Sequence, residues 1–374
     1  MPRRSKLKRD RKAAKPPAAE LFEEHAAVGE IVRQAPTAEH PALRAFKPPR
    51  LPARHQQLAR HGILDANGLK IEVEQSGSAA LYNRVICGDT LEVIRQIPAS
   101  VVECIITSPP YWNTVDYGFE GQYGQCSYEE YLGQLLAVWS ECSRVLKPNG
   151  KLCINSPIMP ISKKVLGRQH TRHLKNINND IEHSILQTIH HLHRFGLYIW
   201  QKQTTEKMFG SYPYPPNLYE QNTVEFINVF VKDGPPEKLP LAVKEESRLS
   251  DAEWMDLTKQ VWNLYPEDVK RVRHPAPFPT ALANRLIAMY TFRRAEELGY
   301  RGSLIMDPFC GTGATCVAAR ELGRNYLGID AVPEFCIETA RRSGESQHTK
   351  QIVLLKNNIN RQSQIQTESP PRLL

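Results

Sequence analysis

The chain has 374 residues, 24% of them charged, and a formal net charge of +8 with a pI near 9.0. This length suffices for one large hydrophobic core and a smaller lobe, and the positive charge suits a polyanionic partner such as nucleic acid. Because the sequence shows neither an apolar leader nor a run of ~20 apolar residues, we expect no secretory signal and no membrane helix but a cytoplasmic protein.

The two ends of the chain differ in composition from its middle. Residues 1–78 are rich in Pro and charge, and Lys and Arg crowd positions 3–15 among Ala and Pro. This pattern is typical of a disordered basic arm, with a short helix expected at 18–34. Residues 344–374 form a polar tail. We therefore place one folded domain at 79–343.

The first chemically distinctive motif is Ser108-Pro109-Pro110-Tyr111, which follows a predicted strand over 102–107. Proline has no backbone N–H and a fixed φ, so the Pro109 carbonyl should be a rigid acceptor outside the pairing of the strand. Ser108 Oγ adds a second acceptor, and the two together suit an amino group with two hydrogens to donate. The Tyr111 ring offers a flat face on which a base can stack. A simple strand-ending turn is the alternative, but open α/β sheets bind ligands at such strand ends.

The middle of the chain predicts helices and further strands. Ser127 followed by Glu130 has the spacing of a capping box, which predicts a helix that runs to Val145. We also expect a strand at 84–87, a helix at 180–195, and strands at 151–155, 197–203 and 223–232. The last two strands should be antiparallel, giving a mainly parallel α/β sheet with a reversed edge strand.

Three segments are candidates for contacts with nucleic acid, with solvated loops as the alternative for each: about 157–178, 205–220 and 233–270. The second carries tyrosines among prolines. The first is basic, and its candidate DNA-binding residues are Lys163, Lys164, Arg168, Arg172 and Lys175.

Histidine and cysteine do not indicate a metal centre. His190, His191 and His193 lie close together, but neighbouring helix positions point in different directions and no carboxylate or Cys lies at ligand spacing. We therefore predict no metal site. The eight Cys include no Cys-x-x-Cys pair, and we expect them to be buried, reduced thiols.

A glycine loop, Asp307-Pro308-Phe309-Cys310-Gly311-Thr312-Gly313, follows an apolar run at 303–306 and precedes a predicted helix at 314–322. Gly311 and Gly313 allow a tight turn and a close approach to a ligand. A second apolar run at 326–329 ends in Asp330, the place where dinucleotide-type folds bind ribose hydroxyls. The alternative is a tight strand-to-helix turn with Asp330 as a helix cap.

The details of the loop discriminate between cofactors. A hydride-transferring enzyme would be expected to have a third glycine, and a phosphate-binding loop would continue into Gly-Lys-Ser/Thr. Neither is present in the sequence. A nucleoside without phosphates fits better, and S-adenosylmethionine is such a ligand.

These motifs in this order resemble the amino-methylating DNA methyltransferases, specifically the permuted (beta) class in which the catalytic motif precedes the cofactor motif. The resemblance covers roughly residues 82–343. It is strengthened by Gly88-Asp89-Thr90-Leu91, by 144–150 with the strand that follows, and by 274–279. It implies a Rossmann-like methyltransferase fold with permuted motif order, and it places Ser108, Pro109, Pro110 and Tyr111 in the catalytic site.

The same resemblance implies S-adenosyl-L-methionine as cofactor, with Asp89 near its adenine and Phe278 near its methionine end. The third DNA-binding candidate, 233–270, stands where this class often keeps its recognition region. The implied cofactor-binding residues are Asp89, His274, Phe278, Asp307, Pro308, Phe309, Gly311, Gly313 and Asp330.

Ser at the first position of the catalytic motif goes mostly with cytosine N4 in this family, whereas Asp or Asn goes with adenine N6. We therefore expect methylation of cytosine N4 in double-stranded DNA, in a bacterial or archaeal cell, with a cognate restriction endonuclease as functional partner. Adenine N6 methylation, protein-glutamine methylation and an inactive DNA-binding module are the alternatives. Cytosine C5 methylation is disfavoured because it usually needs a Pro-Cys pair, which the sequence lacks.

Overall fold

The computed structural model describes residues 69, 73–74, 76–112, 122–161, 173–204, 208–267 and 278–343. The predicted helix at 18–34, the polar tail and most of the basic leader lie outside these ranges. So do five of the predicted site residues: Lys163, Lys164, Arg168, Arg172 and His274.

The described strands, in chain order, are β1 (Arg84–Cys87), β2 (Val102–Thr107), β3 (Leu146–Pro160), β4 (Leu174–Asn176), β5 (Leu192–Lys202), β6 (Phe209–Gly210), β7 (Leu218–Tyr219), β8 (Val224–Lys232), β9 (Val261–Leu264), β10 (Leu304–Asp307) and β11 (Asn325–Asp330). The described helices are α1 (Thr90–Arg95), α2 (Tyr128–Val145), α3 (Ile177–Thr188), α4 (Leu241–Glu245), α5 (Asp251–Leu257), α6 (Thr280–Tyr290), α7 (Ala314–Glu321) and α8 (Pro333–Arg342). Short 3-10 turns lie at Gly77–Leu81 and Glu296–Leu298.

The main sheet has the strand order β1-β11-β10-β2-β3-β8-β5-β9, with β4 paired to β3. All neighbours along this order are parallel except that β8 runs against both β3 and β5. The prediction of a mainly parallel sheet with a reversed strand is confirmed. The reversed strand β8 is not at the edge, however, because it lies between β3 and β5, and β9 adds in parallel beyond β5.

Helices cover the sheet in two groups. The first group contains α1, α2 and α3, and the second contains α6, α7 and α8; members of each group pack together. The central strands are accordingly buried on both faces: all four residues of β10 and nearly all of β2 and β11 are buried. This is the burial expected of parallel strands between two helical layers.

One predicted helix boundary was wrong. The helix expected at 180–195 ends at Thr188, because the chain from Leu192 onward pairs with β8, starting at Leu192 opposite Lys232. Part of the 233–270 candidate is not a loop, because Val261–Leu264 forms β9 in the sheet. Among the described helices, none combines the length and the apolar character that a membrane span requires.

The connections place a ligand site between β10 and β2. From β2 the chain moves through α2 to β3, whereas from β10 it moves through α7 to β11, in the opposite direction along the sheet. The two strands are parallel neighbours, with Met306 opposite Ile105. Such a switch point opens a crevice at the carboxyl ends of the strands. Both sequence motifs begin there, at Asp307 and Ser108.

Candidate active site

A cleft lies at the carboxyl ends of β2 and β10 and holds about 800 Å³ of space, counted to its open mouth. It brings together the two motifs that are separated by roughly half the chain. Eight of the predicted site residues line it: Ser108, Pro109, Pro110, Tyr111, Phe278, Phe309, Gly311 and Asp330.

Hydrogen bonds hold the Ser-Pro-Pro-Tyr segment in place. Tyr131 on α2 donates to the carbonyl of Pro110 at 2.9 Å, so one face of the double-proline turn is tied to a buried helix. Ser108 Oγ lies 2.9 Å from the Tyr111 hydroxyl. Among the described residues, no donor bonds to the Pro109 carbonyl. Ser108 and Pro109, the residues that carry the two predicted acceptors, both line the cleft.

Tyr111 has a partner that sequence patterns did not reveal. Its hydroxyl donates to Glu225 Oε2 at 3.0 Å. Glu225 is on β8, next to β3, and is 5% exposed. Its carboxylate also accepts from Asn155 Nδ2 at 2.5 Å and pairs with Lys202 Nζ at 2.5 Å. The Ser-Pro-Pro-Tyr segment is thus connected to three strands of the sheet.

The glycine loop has the shape that its residues predicted. Gly311 and Gly313 have positive φ, 51° and 85°, a region that glycine adopts without steric cost. Thr339 on α8 donates to the Gly311 carbonyl at 2.9 Å, and Arg342 donates to the Thr312 carbonyl at 2.8 Å. The loop is therefore clamped against α8 while its other side faces the cleft.

Asp330 lies at the end of β11 and lines the cleft. Its two oxygens accept from the backbone N–H groups of Gly311 at 2.8 Å and Val332 at 2.9 Å. A carboxylate has about four acceptor positions, so these bonds leave acceptor capacity unused. Removal from water raises the pKa of Asp330 to about 7, and backbone hydrogen bonds from Val332, Gly311 and Ala331 offset only part of that effect.

Four of the predicted cofactor residues support the cleft rather than line it. Asp89 is the N-cap of α1 and accepts from Glu92 N at 3.0 Å, while its neighbour Thr90 lines the cleft. Asp307 accepts from Thr315 Oγ1 at 2.7 Å and from Phe309 N at 3.1 Å. Burial raises the pKa of both carboxyls to about 6.

The other two are Pro308 and Gly313. The Pro308 carbonyl accepts from Thr90 Oγ1 at 2.7 Å, which joins the glycine loop to the start of α1. Gly313 precedes α7 and lies so close to α8 that a Cβ there would be 2.6 Å from Thr339 Cγ2. Both residues shape the loop through its packing.

Aromatic side chains form the apolar walls. Phe309 packs edge-on against Tyr123, with ring centroids 5.4 Å apart, and against Trp139 at 6.2 Å. Phe278, just before α6, is buried and reaches the same cleft. Flat apolar walls of this kind suit a purine or pyrimidine ring.

Several lining residues were not singled out from the sequence: Thr90, Gln122, Tyr123, Cys310, Thr312, Ala314, Ala331, Val332 and Phe335. Most of them could have been, since they stand inside or beside the quoted motifs. Gln122, Tyr123 and Phe335 carried no such signal, because they reach the cleft only through the folding of their segments.

The described parts of the predicted DNA-binding segments contain one basic candidate and an aromatic hairpin. Lys175 on β4 is half-buried, with Nζ 4.0 Å from the centroid of the Tyr128 ring. Strands β6 and β7 form a hairpin in which Phe209 pairs with Tyr219. It projects between β5 and β8, the strands that carry Lys202 and Glu225, and it exposes Tyr212 and Tyr214.

The neighbouring histidines and the cysteines contact other protein side chains or lie in the protein interior. His193 lies 2.7 Å from Asp233, and His191 contacts Ser143. All eight Cys are free thiols, seven buried and Cys126 half-buried. The prediction of buried cysteines is confirmed for all but Cys126.

Comparisons with known proteins agree with this site. A family model described as "DNA methylase", covering N6 and N4 enzymes, matches residues 102–341. The type II methyltransferase M.Cfr9I of Citrobacter freundii is 27% identical over 287 residues, which are 71% of this chain and 89% of that protein.

Solved structures show the same fold. The putative DNA modification methylase TTHA0409 of Thermus thermophilus, in complex with S-adenosyl-L-methionine, is 28% identical with a TM-score of 0.57, covering 70% of this chain and 93% of that one. The PvuII DNA methyltransferase, which is cytosine-N4-specific, is 16% identical with a TM-score of 0.53, covering 74% and 92%; this likeness concerns the fold alone. Because the family model matches well over half of the chain and includes both motifs of the cleft, the protein belongs to the N6/N4 DNA methylase family.

Proposed function

We propose that this protein transfers a methyl group from S-adenosyl-L-methionine to the exocyclic N4 amino group of a cytosine in double-stranded DNA. The observation that carries the proposal is that Ser108 and Pro109 line one cleft together with Gly311 and Asp330. Membership of the DNA methylase family supports the reaction class, and Ser at the first motif position supports the choice of base.

The cleft fits the cofactor. The positive-φ turn at Gly311 keeps side-chain bulk out of the loop, and Asp330 retains acceptor positions for ribose hydroxyls after its two backbone bonds. Phe278 and Phe309 provide apolar walls. When bound, S-adenosyl-L-methionine supplies an electrophilic methyl group on a sulfonium, so neither a metal nor a covalent enzyme intermediate is needed.

Ser108 and Pro109 make the amine reactive. The lone pair of an exocyclic amine is delocalised into the base, which makes the nitrogen a poor nucleophile. Two acceptors at fixed positions favour the tetrahedral nitrogen in which the lone pair is localised, because they stabilise charge that develops only in the transition state. The tie between Tyr131 and Pro110 keeps the Pro109 carbonyl at its position without cost during the reaction.

The target base must leave the duplex to reach this cleft. We propose that it stacks on Tyr111, and that DNA is held by the basic segment 157–178, by the aromatic hairpin within 205–220, and by the loops and short helices of 233–260. Exposed aromatic rings beside the cleft can stack on bases without sequence preference. In this arrangement residues 79–343 form the catalytic domain.

The resemblance of the chain to type II methyltransferases supports a functional pairing with a restriction endonuclease that cuts the same DNA sequence. We propose such a partner, without implying a physical complex. The test is to map the methylated sites in treated DNA by sequencing. The methylated DNA is then digested with endonucleases of known specificity, to find one that the methylation blocks.

The reaction is tested by mass spectrometry of nucleosides from unmethylated plasmid DNA incubated with the protein and S-adenosyl-L-methionine. N4-methylcytosine is the expected product. N6-methyladenine would retain the scaffold and overturn the argument from Ser108. The absence of any methylated base from plasmids of varied sequence would overturn the enzymatic function, and cofactor binding would then separate a silent DNA-binding module from a methyltransferase of another substrate.

A further inference from the structure

The carboxylate of Glu225 lies in a cluster of donors beside the catalytic motif. Tyr111 and Asn155 both donate to Oε2, and Lys202 pairs with Oε1. The lysine side chain is itself largely covered, with 21% of its area exposed. A buried carboxylate is stable only when charge and hydrogen bonds compensate for lost water, and here three donors from three segments do so.

The donors around Glu225 determine which hydroxyl donates in the hydrogen bond between Tyr111 and Ser108. An ionised carboxylate accepts hydrogen bonds and donates none. The Tyr111 hydroxyl has one hydrogen, which is used in the bond to Glu225. The 2.9 Å contact between Tyr111 and Ser108 therefore requires the serine to be the donor.

The consequence concerns the reacting amine. Once Ser108 has donated its single hydrogen to Tyr111, the lone pairs of its Oγ are the groups available to the cleft. An amino group of a base needs such an acceptor. If the bond ran the other way, the serine hydrogen would be free to point at the amine and oppose it.

We propose that Glu225 is a positioning residue that acts through Tyr111 to keep Ser108 a hydrogen-bond acceptor for the target amine. The inference rests on the proposed function, because it assumes that an exocyclic amine is the group bound at Ser108. Glu225 does not line the cleft itself, so its effect is transmitted by the tyrosine.

A purely structural role for the Lys202–Glu225 pair is the competing explanation. Replacement by glutamine separates the two, because E225Q keeps the size of the side chain and adds an amide donor. The glutamine amide can donate to the Tyr111 oxygen, so that the tyrosine hydrogen turns toward Ser108. Tyr111 then becomes the donor to Ser108, which reverses the direction of that hydrogen bond.

E103Q is the matched control. Glu103 is also a largely buried carboxylate with a lysine partner, since it pairs with Lys147 at 2.6 Å and accepts from Leu304 N at 2.7 Å. It lies near the opposite end of β2 from Ser108, away from the cleft.

The test uses the full-length protein and a duplex that carries its mapped methylation site. Two readouts are needed: turnover, and cofactor-free binding of duplexes with either cytosine or 2-pyrimidinone, which lacks the amino group, at the target position. We expect wild type and E103Q to bind the cytosine duplex more tightly. We expect E225Q to lose this preference and to lose about 10- to 100-fold in kcat, as for the loss of one or two transition-state hydrogen bonds.

Y111F is a second test of the proposal. It removes the hydroxyl that connects Glu225 to Ser108, while Glu225 keeps its contacts with Lys202 and Asn155. The kcat of the double variant E225Q/Y111F should be no lower than that of the less active single variant, because both changes break the same series of hydrogen bonds. If E225Q retains the cytosine preference and loses activity only in proportion to melting temperature, as E103Q does, Glu225 is structural and the proposal is wrong. Failure of the proposed function itself is distinguishable, because wild type would then methylate no cytosine in the plasmid assay.

Discussion

In the proposed reaction, Ser108 is the residue on which the chemistry most directly depends. S108A removes one of two acceptors for the amine but leaves the glycine loop and Asp330 untouched. We expect kcat to fall by about 100-fold or more, by analogy with the loss of one transition-state hydrogen bond, while the Kd for S-adenosyl-L-methionine changes by less than about twofold. Steady-state kinetics and calorimetry measure the two quantities. An equal loss in both would mean that Ser108 supports the cleft and has no catalytic role.

If Asp330 holds the cofactor ribose as proposed, cofactor affinity should depend on pH. Burial raises its pKa to about 7, and only the ionised form can accept two ribose hydroxyls in addition to its backbone bonds. The Kd should therefore rise by about tenfold per pH unit as the pH falls below 7. In D330N this step should be absent, and any step shared by both proteins belongs to the cofactor or to other groups.

Folding stability should show the opposite trend. Because the pKa values of Asp89, Asp307 and Asp330 are raised in the folded state, the folded protein binds more protons than the unfolded chain between about pH 4 and 7. These carboxyls therefore make the free energy of unfolding decrease as the pH rises through that window. Urea unfolding of wild type and D330N at several pH values measures the contribution of Asp330. The prediction is wrong if the difference in unfolding free energy between the two proteins does not change with pH.

At the scale of elements, the junction between the glycine loop and α8 is tight. G313A places a methyl group 2.6 Å from Thr339 Cγ2, at a φ of +85°, so overpacking adds to backbone strain. We expect a loss of about 2–4 kcal/mol in the free energy of unfolding and weaker cofactor binding. G299A is the control, because it has a similar φ of +69° but nothing within 4 Å of the added Cβ. Equal losses in the two variants would refute the packing argument.

The β6–β7 hairpin is closed by backbone hydrogen bonds, and its tyrosine side chains are exposed. Ser211 N donates to the Asn217 carbonyl at 2.8 Å and Tyr214 N to the Ser211 carbonyl at 2.9 Å, whereas the side chains of Tyr212 and Tyr214 are 66% and 74% exposed. A Cβ at Gly210 would lie 1.9 Å from the Asn217 carbonyl oxygen, so the hairpin depends on that glycine. A preformed aromatic surface beside the cleft costs little entropy to use in binding.

If this hairpin contacts DNA, replacing both tyrosines by Ala should weaken DNA binding by about tenfold or more without changing cofactor affinity or melting temperature. Fluorescence anisotropy with a labelled duplex measures the effect. L298A is the control, because Leu298 is also exposed but precedes β10 at the end of the strand away from the cleft. Unchanged DNA affinity in the tyrosine variant would remove the hairpin from the proposed interface.

For the molecule as a whole, the fold could be predicted well where local sequence decides it. The predicted strands at 84–87 and 102–107 match β1 and β2, and the Ser127–Glu130 capping box opens α2 as expected. These features depend on residues a few positions apart. The end of α3 and the presence of β9 were missed because they depend on pairing with β8 and β5, which lie elsewhere in the chain.

The sequence by itself indicated both motifs, because proline geometry, glycine φ and strand-end placement are properties of short segments. The resemblance of these motifs to a known family then implied the class of fold and the reaction class. Only the tertiary structure decided that Asp89 caps α1, that Thr90 reaches the cleft, and that Glu225 bonds to Tyr111. Glu225 is 114 residues from Tyr111, and no local pattern marks a buried carboxylate in a strand as functional. The proposed role of Glu225 depends on which strands are neighbours in the sheet. The burial of the whole sheet determines the order of the strands.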